Sequence, residues 1–206
     1  MADEDATADA TADYAAQLRR TRIGEPPRLD GPIQLADYDP AWPAAFERLA
    51  GLIGAALDDR ALRIEHVGST SVPGLPAKPR IDIVLAVADS AIEADYAPRM
   101  GAAGYVLHIR EPDWHEHRVF VRDDEQVNVH TFTNGCAEIE RMTRFRDYLR
   151  AEPTERELYL RTKRELAARH WEFVQQYADA KSQMVEAILQ RAGAPPPDPH
   201  EESRQR

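Results

Sequence analysis

The architecture of this chain is set by two nearby segments, Val67-Gly-Ser-Thr-Ser-Val-Pro-Gly74 and Ile81-Asp-Ile-Val-Leu-Ala-Val87. The second is almost wholly apolar, as expected for a strand buried on both faces of a sheet. Residues 62–67 alternate between apolar and polar side chains, which predicts a short strand directly before the polar turn. The turn therefore links two strands, and Gly68 lets a ligand approach its backbone closely.

Helices and strands alternate on both sides of these segments. Apolar residues at positions 42, 46, 49 and 53 are spaced for one face of a helix. The remaining pattern predicts a helix at 91–100, strands at 105–108, 117–121 and 127–132, and helical stretches at 139–149 and from 154 to about 190. The sequence thus predicts an α/β (α+β) fold in which helices cover a mixed β-sheet and the C-terminal third is helical.

Length and composition indicate one domain with two tails. At 206 residues, 43% hydrophobic and 30% charged, the chain resembles an ordinary globular domain. Residues 1–30 and 193–206 are too polar or too proline-rich to build a core. We therefore expect a domain at 31–192 between two flexible tails.

Charge and hydropathy exclude several classes of partner. The net charge of −10 works against non-specific binding to nucleic acid, which depends on lysine and arginine at the phosphates. No apolar run approaches the roughly 20 residues that span a bilayer, and the acidic start lacks the features of a signal peptide. We therefore expect a cytoplasmic protein that binds neither nucleic acid nor membranes.

Asp82 is an isolated carboxylate in an apolar strand. Such groups are rarely buried without a partner, because removing the charge from water costs several kcal/mol. One interpretation is a structural pair with Lys78 or Arg80. The other is a metal ligand, and a catalytic residue, that faces the turn after Val67.

The turn itself is a candidate phosphate site. Backbone N–H groups and hydroxyls at the start of a helical turn can hold phosphate oxygens, although an ordinary polar loop has the same composition. Arginine's planar fork also suits phosphate, whereas Lys163 can equally pack on a helix surface beside Tyr159. The candidate phosphate-binding residues are Gly68, Ser69, Thr70, Ser71, Lys78, Arg118 and Lys163.

The strand at 127–132 can complete the site. Asn128 and His130 are two residues apart, so their side chains lie on one face of the strand. They can supply an oxygen and a nitrogen beside Asp82, although a hydrogen-bonded core histidine is the alternative for His130. His66 shares its face with apolar neighbours and is expected to be packed. His115 and His117 lack a third ligand, so no metal site is predicted there.

Several motifs together resemble the GrpB family. The resemblance rests on the segment from His66 to Leu75, on Lys78-Pro and Ile81-Asp-Ile, and on the motifs Asn128-Val-His, Phe145-Arg-Asp-Tyr-Leu-Arg, Tyr159 with Lys163, and Tyr177-Ala-Asp-Ala-Lys. It extends from about residue 33 to residue 192 and is also similar to the GrpB-like domain fused behind dephospho-coenzyme A kinase in some actinobacteria. The resemblance implies a nucleotidyltransferase fold.

One position departs from the nucleotidyltransferase pattern. Polymerase-like members place two carboxylates two residues apart on a strand, so that both face the same Mg²⁺ ions. Here Val84 stands where the second carboxylate is expected, which argues against standard two-metal catalysis.

The leading hypothesis is an enzyme that binds a nucleoside triphosphate with Mg²⁺ or another divalent cation. It would transfer the nucleotidyl group to a small-molecule acceptor, for example by adenylating a carboxylate. Asp82 and His130 are the predicted catalytic residues, and Asp82, Asn128 and His130 the predicted metal ligands. The alternative is a non-catalytic nucleotide-binding or interaction module with a degenerate site.

Overall fold

A five-stranded mixed sheet forms the centre of the fold in the computed structural model, which describes residues 11–29 and 31–196. The strands are β1 (Arg63–Val67), β2 (Ile81–Val87), β3 (Val106–Glu111), β4 (His117–Arg122) and β5 (Val127–Thr133). Their order is β1-β2-β5-β4-β3, and only the central β2–β5 pair is parallel. The apolar β2 is paired on both sides, as its sequence predicts.

Helices cover both faces of this sheet. The helices are α1 (residues 11–18), α2 (Trp42–Leu57), α3 (Ala97–Ala102), α4 (Ala137–Ala151), α5 (Pro153–Ala167), α6 (Val174–Ala180) and α7 (Ser182–Arg191). One face packs on α2 and α3 through a large apolar cluster that includes Leu49, Ile53, Ile83 and Phe120. The other face has Asp82, Val84, Asn128 and His130, and packs on α4; we call it the site face.

The predicted mixed sheet with helical cover and a helical C-terminal third is confirmed, with two local differences. The expected helix at 91–100 is divided into a 3₁₀ turn at Glu93–Asp95 and the short α3. The stretch from 154 to 190 consists of three helices. The first of these helices, α5, ends at Ala167. The indole N–H of Trp171 donates to the carbonyl of Leu166 in its last turn at 2.7 Å.

Segments outside residues 31–192 also contact the domain. Ala15 of α1 is buried, the hydroxyl of Tyr14 donates to Asp179 at 2.5 Å, and Ile23 N–H donates to the carbonyl of His108 at 2.8 Å. The carbonyl of Pro195 accepts from Arg141 at 2.5 Å. Residues 1–10, 30 and 197–206 lie outside the described residues, and the division into tails and domain stays a prediction.

No helix in residues 11–29 and 31–196 combines the length and the apolar composition that crossing a bilayer requires.

Candidate functional site

The polar turn and Asp82 lie in direct contact. β1 ends at Val67, which pairs with Asp82 of the antiparallel β2, so that the next residue, Gly68, lies against the carboxylate. Gly68 has a φ of 68°, and a β-carbon there would lie 3.0 Å from Cβ of Asp82 and overlap its Oδ2. Glycine is therefore required at this position both by the backbone conformation and by the carboxylate.

The three hydroxyls of the turn have different surroundings. Ser69–Ser71 form a 3₁₀ turn, but Thr70 and Ser71 are buried. Thr70 Oγ1 bonds Nε2 of His66 at 3.1 Å, and Ser71 Oγ donates to the carbonyl of Gly68 at 2.6 Å. These two hydroxyls stabilise the turn and face away from solvent, which corrects their prediction as phosphate ligands. Ser69 remains half-buried and lies near the hydroxyl of Tyr159.

Asn128 orients Asp82 through its amide nitrogen. Its Nδ2 donates to Oδ1 of Asp82 at 2.9 Å, and its Oδ1 accepts from Arg80 at 3.0 Å. The carboxylate needs a donor and the guanidinium needs an acceptor, so both neighbours fix the same amide orientation. In this geometry the amide oxygen of Asn128 points to Arg80, and its role as an oxygen ligand for a metal stays a prediction. Arg80 bonds Asn128 and Asp123.

His130 lies beside Asp82, as the strand pattern predicts. Its Nε2 is 3.9 Å from Oδ1 of Asp82, which is longer than a hydrogen bond. Burial acts to raise the pKa of Asp82, but His130, Asn128 and Lys78 together outweigh it, and the pKa lies below its usual value. Asp82 is thus a carboxylate at neutral pH.

His130 is in turn bonded to a second histidine. Nδ1 of His130 lies 3.2 Å from Nε2 of His117, whose Nδ1 lies 2.8 Å from Oε2 of Glu111. His117 is buried and stacks on Phe132 with ring centroids 4.5 Å apart. Burial lowers the pKa of His117 to about 4, so it is neutral at pH 7.

The lysines of the chain lie near Asp82. The chain has three lysines against 23 arginines, and all three interact electrostatically with Asp82: Lys78, Lys163 and Lys181. Nζ of Lys78 and Nζ of Lys181 lie 5.9 Å and 4.7 Å from the ring centroid of Tyr177. Nζ of Lys163 donates to the carbonyl of Pro76 at 2.6 Å.

In the described part of the chain, none of the three lysines forms an ion pair with Asp or Glu. Burial lowers the pKa of Lys163 to about 7 and that of Lys78 to about 8, and repulsion from Lys181 adds to both shifts. Burial lowers the pKa of Lys181 as well. The cluster is therefore a partly dehydrated positive site, which favours an anion.

Arg118 lies outside this cluster. It pairs with Thr131 across β4 and β5, on the face opposite His130. Its guanidinium donates to Glu93 at 2.6 Å and to Glu116 at 3.2 Å, and its side chain is 7% exposed. The prediction of Arg118 as a phosphate contact is corrected. Arg118 links β4 to Glu93, which lies in the 3₁₀ turn after β2.

The space beside His130 is large. A cavity of about 1930 Å³ lies between the site face, α1 and the C-terminal helices. His117, His130 and Phe132 line it on the sheet side, and Tyr14 and Lys181 on the helical side. It has room for a small molecule next to the lysine cluster.

Sequence reasoning missed two parts of the site. Lys181 was visible only as the end of the Tyr177-Ala-Asp-Ala-Lys motif, although the scarcity of lysine in an arginine-rich chain is a signal that could have identified it. His117 was judged by its sequence neighbours, whereas its partners Glu111 and His130 lie on adjacent strands.

Known proteins resemble this chain over most of its length. It is 52% identical over 178 residues to the UPF0157 protein BH1888 of Halalkalibacterium halodurans, covering 86% of this chain and 91% of that protein. A dephospho-CoA kinase of Mycolicibacterium paratuberculosis is 30% identical over 188 residues, which span 78% of this chain and 46% of the kinase. The crystal structure of the conserved protein GrpB from Enterococcus faecalis superimposes with a TM-score of 0.67 at 29% identity, over 77% of this chain and 96% of that one.

The family assignment follows from these similarities together with a sequence model of the whole domain. The model described as GrpB protein matches residues 32–191, which contain the turn, Asp82, His130 and all three lysines. The chain belongs to the GrpB family.

Proposed function

We propose that this chain binds the polyphosphate of a nucleoside triphosphate beside a divalent cation and transfers the nucleotidyl group to a small-molecule acceptor. The observation that supports this most strongly is that all three lysines interact electrostatically with Asp82, while none of them forms an ion pair with Asp or Glu among the described residues. A polyphosphate is an anion with enough charge to match three ammonium groups.

The lysine cluster has the chemistry of a phosphate site. Burial of ammonium groups is unfavourable, and the lowered pKa values of Lys78 and Lys163 show that the charge of Asp82 does not outweigh burial and the repulsion from Lys181. An anion that binds between them restores the charged state of each lysine and gains charge-assisted hydrogen bonds. Ser69, half-buried at the turn, is placed to add a hydroxyl contact.

Asp82 and His130 are the groups that would hold a cation. Among residues 11–29 and 31–196, no three His, Cys, Asp or Glu side chains are arranged to hold a metal ion by themselves. Two protein ligands fit a cation whose other ligands are phosphate oxygens and water. The histidine nitrogen favours Mn²⁺ or a similar transition ion over Mg²⁺. When bound, such a cation would neutralise charge on the transferring phosphoryl group.

The large cavity beside His130 supports a small-molecule acceptor. Lys181 and His130 both line it, so an acceptor there would lie near both side chains. His130 could then accept a proton from an attacking hydroxyl.

Val84 supports a second candidate function, a binding module without chemistry. Its side chain is fully buried and packs with Phe132 and Ile139, so no second carboxylate reaches the cation site from β2. A protein of this kind would bind nucleotide and release no pyrophosphate.

Calorimetric titration with each of the four ribonucleoside triphosphates, with and without Mn²⁺ or Mg²⁺, tests the proposal. We expect at least one to bind in a cation-dependent way, and Asp82→Asn to remove that dependence in protein that is still folded. Arg60→Met, which removes an exposed charge before β1, is the control. Pyrophosphate release in the presence of candidate acceptors would favour the enzyme, and binding without release the module. If none of the four nucleotides binds, the results contradict both the enzyme and the binding module.

A further inference from the structure

Two arginines of α4 bind backbone carbonyls on either side of the polar turn (residues 68–71). Nη1 of Arg146 donates to the carbonyl of His66, at the end of β1, at 2.9 Å. Arg150 donates through both Nε and Nη2 to the carbonyl of Ser71, at 3.0 Å and 2.8 Å. The turn is therefore held by guanidinium groups before its first residue and at its last one.

The spacing of these arginines on α4 fits the turn. Both belong to the motif Phe145-Arg-Asp-Tyr-Leu-Arg150, and residues four apart on a helix lie on one face, one turn from each other. β1 is an edge strand, where backbone groups need partners from outside the sheet. Arg146 supplies such a partner and also pairs with Glu65 of β1 at 2.7 Å. Arg150 is then one helical turn further along, where it meets the end of the polar turn.

The backbone hydrogen bonds within the turn are longer than those from the arginines. Ser71 N–H donates to the carbonyl of Gly68 at 3.3 Å, and Val72 N–H donates to that of Ser69 at 3.2 Å. Typical N–H···O distances are about 2.9–3.0 Å, and charged donors form the stronger bonds. The Ser71 hydroxyl supports the first peptide of the turn, at the Gly68 carbonyl. The last peptide, at the Ser71 carbonyl, depends on Arg150.

α4 also connects the turn to the strand that carries Asn128 and His130. It follows β5 in the chain, and Ile139 in its first turn packs with Val84 of the sheet. The start of the helix is thus fixed to the site face and its last turn to the polar turn. A contact at Arg150 therefore sets the position of the turn relative to the candidate cation site.

We propose that Arg150, supported by Arg146, is a positioning residue that holds the polar turn in the conformation in which Ser69 contacts phosphate. The hold on the turn follows from the hydrogen bonds alone, whereas the phosphate contact rests on the proposed function. The Nε–Nη2 edge, which binds phosphate bidentately in other proteins, is occupied by the Ser71 carbonyl. Arg150 thus acts through the backbone and not as a phosphate ligand.

Hydrogen exchange of individual amides in the full ¹⁵N-labelled chain tests the hold on the turn. Arg150→Met keeps an unbranched side chain and removes both donors. We expect the amides of Ser71 and Val72 to exchange at least about tenfold faster than in the wild type, with a much smaller change at Ile83 in β2. The control, Arg144→Met, removes an exposed arginine of the same helix and should change none of these rates.

Two results of this exchange measurement would overturn the proposal. The first is an unchanged rate at both turn amides in Arg150→Met, which would show that the turn does not depend on the guanidinium. The second is an equal acceleration at Ile83, which would show a general loss of stability and not a local release of the turn.

Affinity for inorganic triphosphate separates positioning from charge. Arg150→Lys keeps the positive charge but replaces the planar two-donor contact by a compact ammonium. We expect both Arg150→Lys and Arg150→Met to bind triphosphate at least about threefold more weakly than the wild type, and Arg144→Met to bind it equally well. Wild-type affinity in Arg150→Lys would overturn the proposal, because charge alone would then suffice. If the wild type binds no triphosphate while the turn amides respond as expected, the proposed function is refuted and the hold on the turn stands.

Discussion

Gly68 lies against Asp82 and leaves no space for a side chain at position 68. The Cα of Gly68 faces the carboxylate so closely that a β-carbon would overlap Oδ2 of Asp82. This contact joins the end of β1 to the second residue of β2, and it keeps the backbone of the turn beside the charge. The candidate site therefore depends on a glycine as much as on its polar side chains.

Gly68→Ala should lower stability and abolish polyphosphate binding together. The left-handed backbone alone costs roughly 1–3 kcal/mol for a residue with a side chain, and displacement of Asp82 adds to that. Gly74→Ala is a matched control, because its φ is also positive, at 76°, and no atom lies within 4 Å of the added carbon. Thermal melting and triphosphate titration of both variants measure the difference. Intact binding by Gly68→Ala would show that the close contact is not needed for the site.

Ser69→Ala and Arg118→Ala should have opposite effects. Ser69 lies at the turn and should weaken triphosphate binding when truncated, with little change in melting temperature. Arg118 is buried and bonds Glu93, so its loss should cost roughly 2 kcal/mol of stability or more and leave binding unchanged. Chemical denaturation and calorimetry distinguish the two. Weaker binding by folded Arg118→Ala would return this arginine to the phosphate site.

Val84→Asp should destabilise the protein and should not create a second metal ligand. The side chain is fully buried against Phe132 and Ile139, and a carboxylate there would lose its hydration without a partner. We expect a loss of roughly 3 kcal/mol or more in unfolding free energy, whereas the control Val84→Ala should lose less. A variant that is stable and binds Mn²⁺ more tightly would contradict the dry packing seen here.

Buried histidines should make stability fall in mild acid. Burial lowers the pKa of His66 and of His117 from 6.5 to about 4, so the unfolded chain binds more protons between these values. Their contribution is complete above pH 6.5 and is lost as the pH falls toward 4, by roughly 3 kcal/mol for each histidine. Urea unfolding across this range measures the slope, which should decrease in His117→Phe. A flat profile between pH 7 and 4 would contradict the neutral, buried state of both rings.

Local sequence patterns were sufficient to predict the fold and about half of the candidate site. The apolar run of β2 has the bounds that its sequence predicts, and the two-residue period correctly puts Asn128 and His130 on one face. That face meets Asp82 because β2 and β5 pair in parallel, which the sequence alone left open.

The remaining features depend on partners that are distant in sequence. The face of Arg118 is decided by the register of β4 against β5, and the amide orientation of Asn128 by Arg80, which is 48 residues away. Lys181 is the i+4 neighbour of Tyr177 on α6, but it comes near Asp82 only because α6 and α7 fold back onto the site. No periodicity within one element encodes such contacts.

Affinity for inorganic triphosphate in Lys163→Met and Lys181→Met tests the central claim most directly. Each variant removes one charge from the lysine cluster, and Arg60→Met removes one from the exposed surface before β1. A charged hydrogen bond contributes about 1.5–3 kcal/mol, so both lysine variants should bind triphosphate at least about tenfold more weakly than the wild type, and Arg60→Met should bind it equally well. Wild-type affinity in both folded lysine variants would contradict the assignment of this cluster as the phosphate site.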